Sequence, residues 1–453
     1  MSRIKSSNYM LRNIFFILSI YSVFLYLSAP KYYSLAHCTQ SFVIFCVEGF
    51  FLLKTKCKYN LLNFEMLFTI GFAFVCYAYP MVYYNLDPYF SLFGLDFPEV
   101  YITKGTALAT VAYSFLAYGF LKYPTVEQAV TLENRNIGFS SKFLTKLTEL
   151  LLLVMLVSLV PVLLSGEYDM NWGAGSEIRG VMESLIFYTL FQKFYRNRGC
   201  DLKSLIKKDK IYFALVISYV LLSTAIGNRG NIIRIGLLLF VLFNIYIKKL
   251  SNATVLIVML LGIFLMYARG AVRDSGSYQN ARENSVHILD FGRDLIINNR
   301  SEYVLMDIAD RNGHTYGKNF LGSLLSSIPY AQSTLLTITG MTVEDISSGS
   351  MVTRDYFAKG DPDSFGLGTN IVGDVYLAFG LPGVIFLFYL LGYSISKISY
   401  RANQGNPIMQ YIYAILLMNS VIWIRADFFK PLQMVIWGVA LYYFFDRKKI
   451  LSK

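Results

Sequence analysis

Between residues 269 and 368 the sequence carries seven arginines (Arg269, Arg273, Arg282, Arg293, Arg300, Arg311, Arg354) against two lysines, Lys318 and Lys359. A surface that only has to be cationic accepts lysine, whereas the planar fork of arginine gives two parallel hydrogen bonds to a phosphate or carboxylate. The bias points to recognition of a fixed anion. The competing reading pairs the same arginines with the segment's own acids, such as Asp307, Asp310, Asp361 and Asp363. Three arginines stand at the ends of apolar runs: Arg229 in Gly227-Asn228-Arg229-Gly230, Arg234 a turn deeper, and Arg269 in Tyr267-Ala268-Arg269-Gly270. A guanidinium in hydrocarbon is costly unless paired or wet, so these side chains either meet an anion or snorkel to the headgroups. Arg425 and Lys430, in a short turn with Asp427, read as snorkelling.

Two of the three histidines, His287 and His314, lie in the same segment. Either suits proton abstraction from a sugar hydroxyl, although any surface histidine shares that property. Asp374, in Gly373-Asp374-Val375-Tyr376, opens a late apolar run, where it would position a hydroxyl or a base; a structural pair with Arg234 or Arg269 is the alternative. The sequence holds no Walker loop, dinucleotide-binding glycine fingerprint, H-E-x-x-H or nucleophile elbow. Asp361-Pro362-Asp363 reads as a proline turn, and none of the five cysteines has metal-ligand spacing, so neither a metal site nor a cofactor is expected.

The elements that must hold these residues are membrane helices. Of 453 residues, 55% are hydrophobic and 15% charged, well short of the usual charged fraction of about a quarter. Runs long enough to cross a bilayer recur at 13 to 30, 36 to 53, 62 to 84, 101 to 121, 148 to 165, 180 to 195, 211 to 226, 231 to 247, 252 to 268, 370 to 395, 408 to 424 and 431 to 446. The run at 180 carries Glu183, and that at 370 is interrupted by Gly380, Pro382 and Gly383 and reads as partly re-entrant. The expected fold is therefore all-α and polytopic: nine helices in 1–268, a large and partly helical loop in 269–368, and three helices with a short tail in 369–453.

The net charge of +12 is distributed by side rather than spread for nucleic acid. Lys54, Lys56, Lys58, the group from Lys193 to Lys210 and the C-terminal Arg447 to Lys453 collect on one face, while 85 to 100 and 166 to 178 carry no lysine or arginine. By the positive-inside rule both termini are cytoplasmic and the large loop is outside. The outer aromatics Tyr83, Tyr84, Tyr89, Phe90 and Tyr101 would stack on sugars or form an interfacial belt.

This architecture resembles the O-antigen polymerase (Wzy-type) family. The resemblance rests on the dominant late loop, the Arg229-Gly230 pair opening a helix, and the glycine-rich stretch Gly366 to Gly380 containing Gly373-Asp374-Val375-Tyr376. The Arg-x10-Gly spacing of some members is matched by Arg311 and Gly322; aspartate at 374 departs from the commoner glutamate. The resemblance implies a GT-C-type membrane glycosyltransferase of the bacterial inner membrane with a periplasmic loop. It implies transfer, without metal, of a growing chain from undecaprenyl pyrophosphate to a sugar hydroxyl of another lipid-linked repeat unit, with a chain-length regulator as candidate partner and no role for nucleic acid. Arg229, Arg234 and Arg269 would then stabilise the departing diphosphate, His287, His314 or Asp374 would assist the acceptor, and Arg273, Arg311, Gly322 and Tyr376 would contact substrate. A lipid-linked oligosaccharide flippase and an O-antigen ligase are the rival readings. The flippase is disfavoured because the helix-embedded acids Glu48 and Glu65 lie toward the cytoplasmic side, away from the arginines.

Overall fold

The computed structural model describes residues 2–58, 60–86, 97–124, 142–165, 175–226, 229–258, 293–356 and 366–445. Arg269, Arg273 and His287 lie outside this set, and of Arg229 only the backbone, at the start of a helix, is described. The principal helices are α1 (Ser2–Leu27), α2 (Leu35–Thr55), α3 (Phe64–Ala78), α4 (Val100–Phe120), α5 (Lys142–Ser165), α6 (Gly175–Arg196), α7 (Lys210–Ala225) and α8 (Arg229–Tyr246). They are followed by α9 (Arg293–Asn312), α10 (Ile371–Asn403), α11 (Pro407–Asn419) and α12 (Leu432–Phe445), and no strand occurs among the described residues.

Each apolar run expected between 13 and 247, and between 370 and 446, is helical; the run at 252 is described only to residue 258. Among the described residues, five helices are long and apolar enough to cross a membrane: Met10–Leu27, Leu35–Thr55, Phe64–Leu86, Phe143–Pro161 and Ile371–Asn403. Lys210–Ala225, Ile233–Tyr246 and Leu432–Phe445 are apolar but shorter. Side chains such as Ile17, Phe24, Leu150, Val157 and Leu164 are exposed on the outsides of α1 and α5, as lipid-facing surfaces require. The helix starts are fixed locally. Asn63, Asn370 and Asn406 accept hydrogen bonds from the backbone N–H groups of Met66, Val372 and Met409, at 2.8, 2.8 and 3.2 Å, each cap contributing about 1 kcal/mol.

The bundle is organised around α4, buried along nearly its whole length against α1, α2 and α10. Hydrocarbon offers no hydrophobic drive between helices, so small residues decide where two backbones meet. At Gly119 a Cβ would lie 2.6 Å from the Tyr389 carbonyl, and at Gly392 it would collide with that of Leu116, so α4 and α10 touch backbone to backbone.

One part of the predicted loop is built into this bundle. Helix α9 packs against α3, α4 and α10, with Tyr303, Val304, Leu305 and Met306 buried. A Cβ at Gly105 would meet the Tyr303 ring at 2.5 Å, and one at Gly373 would meet the Glu302 Cα at 3.0 Å. The reason is the apolar stretch within this otherwise polar segment. We call the end of the bundle that receives α9 the loop face.

Helix α10 is broken where the sequence suggested. Gly380 has φ +63° and ψ −158°, and Pro382 has no N–H to offer Ala378. The carbonyls of Leu377 and Ala378 are instead taken by the backbone N–H groups of Thr315 and Tyr316, both at 3.0 Å. A carbonyl in an apolar setting needs a partner, so the break in α10 creates the dock for the chain that follows α9.

Candidate functional site

Two adjoining clusters form where α9 and the residues after it meet the first turns of α10. In the first, the Asp310 carboxylate, at the end of α9, accepts hydrogen bonds from Tyr101 Oη and Lys104 Nζ of α4 and from Tyr376 Oη of α10, all at 3.1 Å. Tyr26 Oη of α1 donates to Tyr376 Oη at 3.1 Å. Lys104 Nζ also lies 5.8 Å from the Tyr26 ring centre and 5.7 Å from that of Tyr101, within cation–π range. The Asp310 and Lys104 side chains are 34% and 27% exposed, so their ion pair adds little to stability, but its groups are open to a ligand.

His314 closes this cluster. Its ring stands edge-on to Tyr376, with centroids 5.7 Å apart at 84°. Its Nε2 lies 2.8 Å from where a Cβ would sit on Gly380, so the ring fits only because position 380 is glycine. Its Nδ1 is buried with no hydrogen-bond partner among the described residues. A polar atom in that state marks a place for a ligand or a water.

The second cluster is structural. Asp374 is fully buried. Asn319 Nδ2 donates to its Oδ1 at 2.7 Å and to its carbonyl at 3.0 Å, and the Phe428 N–H donates to its Oδ2 at 2.8 Å. Thr315 Oγ1 donates to Asn319 Oδ1, linking Asp374 to the residue after His314. Nearby, Asp427 accepts from Ser323 Oγ at 2.9 Å and Ser348 Oγ at 3.1 Å. Arg425 does not simply snorkel as expected: its Nε donates to Asn298 Oδ1, whose amide in turn donates to the Thr369 carbonyl at 3.0 Å.

His314 and Tyr376 are thus brought together. Asp374, two residues before Tyr376, has both carboxylate oxygens engaged, by the Asn319 amide and the Phe428 N–H. Asp374 does not pair with Arg234, and its alternative partner Arg269 lies outside the described residues. Arg234 Nη1 lies 3.4 Å from Glu183 Oε2, which also accepts from Tyr219 Oη at 3.3 Å. Arg311 pairs with loop acids, Nε to Asp307 at 2.9 Å and Nη2 to Asp355 at 3.4 Å. Gly322 is a packing glycine: a Cβ there would lie 2.9 Å from the Ile346 carbonyl.

Sequence reasoning missed Lys104, Tyr26 and Asn319, and took Asp310 only as an arginine partner. One signal was present, a lysine four residues into an apolar run, which calls for a partner. The rest of the cluster joins residues up to 350 positions apart. Among the described residues, no three of His, Cys, Asp and Glu gather as a metal site would require.

Comparison with known proteins adds one match, to the family model of the O-antigen polysaccharide polymerase Wzy over residues 11–449. No curated protein and no solved structure matches the chain. With nearly the whole length matched by that model, on a multi-pass helical membrane protein, the chain belongs to the O-antigen polysaccharide polymerase Wzy family.

Proposed function

We propose that the chain joins undecaprenyl-pyrophosphate-linked repeat units at the periplasmic face of the inner membrane, with His314 as the base that prepares the acceptor. The observation that carries this reading is the orphaned Nδ1 of His314, held beside Tyr376, whose hydroxyl donates to the partly exposed Asp310–Lys104 pair, in a member of a polymerase family. The acceptor hydroxyl oxygen attacks the anomeric carbon of the growing chain's reducing-end sugar. The bond from that carbon to the diphosphate oxygen breaks, the hydroxyl proton passes to His314, and the lipid diphosphate leaves with the bonding pair. Asp310, Tyr376 and Tyr101 hold sugar hydroxyls, because a carboxylate ringed by phenols offers acceptor and donors at once. In this reading Arg229, Arg234, Arg269 and Arg273 neutralise the departing diphosphate, so the charge is met by protein cations and not by a metal.

Deletion of the gene in its host, with the surface glycolipid displayed on a gel, tests the reading. A polymerase leaves core capped by a single repeat unit; bare core would instead mark a ligase or a flippase. Restoring the gene as His314→Ala or His314→Gln is expected to return inserted protein and polymerisation slowed by about 10²–10⁴-fold. Polymer of normal length from either variant would remove His314 from the mechanism.

A further inference from the structure

From Asn319 to Val343 the chain runs for 25 residues without an aspartate, glutamate, lysine, arginine or histidine, inside a loop that is otherwise rich in charge. The helix Ala331–Thr339 within it buries none of its residues. Ile328 is 60% exposed, Tyr330 50% and Ile338 78%, and together with Leu325, Pro329 and Leu335 they line an open apolar groove of about 390 Å³.

The position of the groove says what fills it. Gln433 Nε2, at the start of α12, donates to the Ser326 carbonyl at 2.7 Å, so the groove sits at the loop-face end of a membrane helix. Ile436, one turn further along α12, is itself exposed toward lipid. The groove therefore adjoins the apolar surface of α12. Its serines and threonines bond to their own helix, as Ser333 does to the Tyr330 carbonyl and Thr337 to that of Ser333, so the helix presents few unmet polar groups to hydrocarbon.

We propose that residues 328–343 are seated in the bilayer interface, with acyl chains of membrane lipids in the groove. The loop is then anchored to the membrane at a second point besides α9. Because Asn319 and Ser323, at the base of the segment, hold Asp374 and Asp427, this anchor sets the depth of the candidate site relative to the headgroups. The proposal concerns where the segment lies and stands whether or not His314 is the base.

Nitroxide labels on single cysteines at Ile338 and Ile328, in a cysteine-free chain reconstituted into phosphatidylethanolamine and phosphatidylglycerol vesicles, test it; a label at the exposed Arg354 is the aqueous reference. Collision with dissolved oxygen, which partitions into lipid, is expected to exceed collision with a water-soluble nickel chelate several-fold at 338 and 328, and to fall below it at 354. Ready access of the chelate at both test sites would place the segment in water. Protection from both reagents would mean that protein covers it. Either result would overturn the proposal.

Discussion

Replacing Gly380 by alanine tests the link between the break in α10 and the candidate base. At φ +63° and ψ −158° the backbone occupies a region almost reserved for glycine, which any side chain enters at a cost of about 1–3 kcal/mol. The new Cβ would lie 2.8 Å from His314 Nε2, so the imidazole must swing away from Tyr376 or α10 must shift. The strain alone lowers the melting temperature without unfolding the chain. Displacement of a general base, by contrast, lowers the rate by about 10²–10⁴-fold. The assay is the rate of polymer formation from lipid-linked repeat units in membrane vesicles, normalised to inserted protein, with thermal unfolding in detergent alongside. If the effect passes through the imidazole, Gly380→Ala in a His314→Ala background reduces stability again but costs no further rate. Polymer at the wild-type rate from Gly380→Ala, or equal rate losses in both backgrounds, would refute the coupling.

Tyr376→Phe removes the hydroxyl that donates to Asp310 and accepts from Tyr26; the loss of two bonds at about 0.5–1.5 kcal/mol each predicts a roughly five- to 150-fold slower polymerisation with normal insertion, measured in the same vesicles. Asp374→Ala leaves the Asn319 amide and the Phe428 N–H without their acceptor, and should lower stability by about 1.5–3 kcal/mol per lost bond, read as a fall in melting temperature larger than that of Tyr376→Phe. Glu302 of α9 is fully buried with no hydrogen-bond partner for either carboxylate oxygen among the described residues, and burial holds its carboxyl well above the usual carboxylate range. The folded chain therefore retains a proton that the unfolded chain has released, and stability falls as pH climbs above about 4.3, the free glutamate value. Melting curves from about pH 5 to about pH 9 should decline less steeply for Glu302→Gln than for wild type, and parallel declines would show that this carboxyl does not titrate in that window.

The membrane helices were legible because hydrocarbon demands long apolar runs, and the sequence declares these from Leu35 to Thr55 as plainly as from Phe64 to Leu86. The break in α10 was legible because Pro382 removes a helix hydrogen bond and Gly380 admits the positive φ at which the chain turns. Glu183 and Arg234 each stood out in the sequence as a charge inside an apolar run, and the structure resolves both anomalies as one pair. The insertion of α9 was not legible. Asn298-Asn299-Arg300-Ser301-Glu302 reads as a solvent-exposed stretch, yet all five residues are buried. Partners such as Thr369 and Arg425 are distant in sequence, and only the fold supplies them. The Asp310 cluster was hidden for the same reason, since its members are polar residues of ordinary type whose meaning lies in their convergence.

The two hydrogen bonds that the backbone N–H groups of Thr315 and Tyr316 donate to the carbonyls of Leu377 and Ala378 also bear on how the chain is assembled. Residues 315–316 leave the ribosome some sixty residues ahead of the carbonyls they complete. The first turns of α10 are thus left with two open carbonyls until the chain that follows α9 folds back on them. Biogenesis and construction of the candidate site are then a single late event, and a chain arrested before it would hold α10 in the bilayer with two open carbonyls, a form for quality-control proteases to recognise.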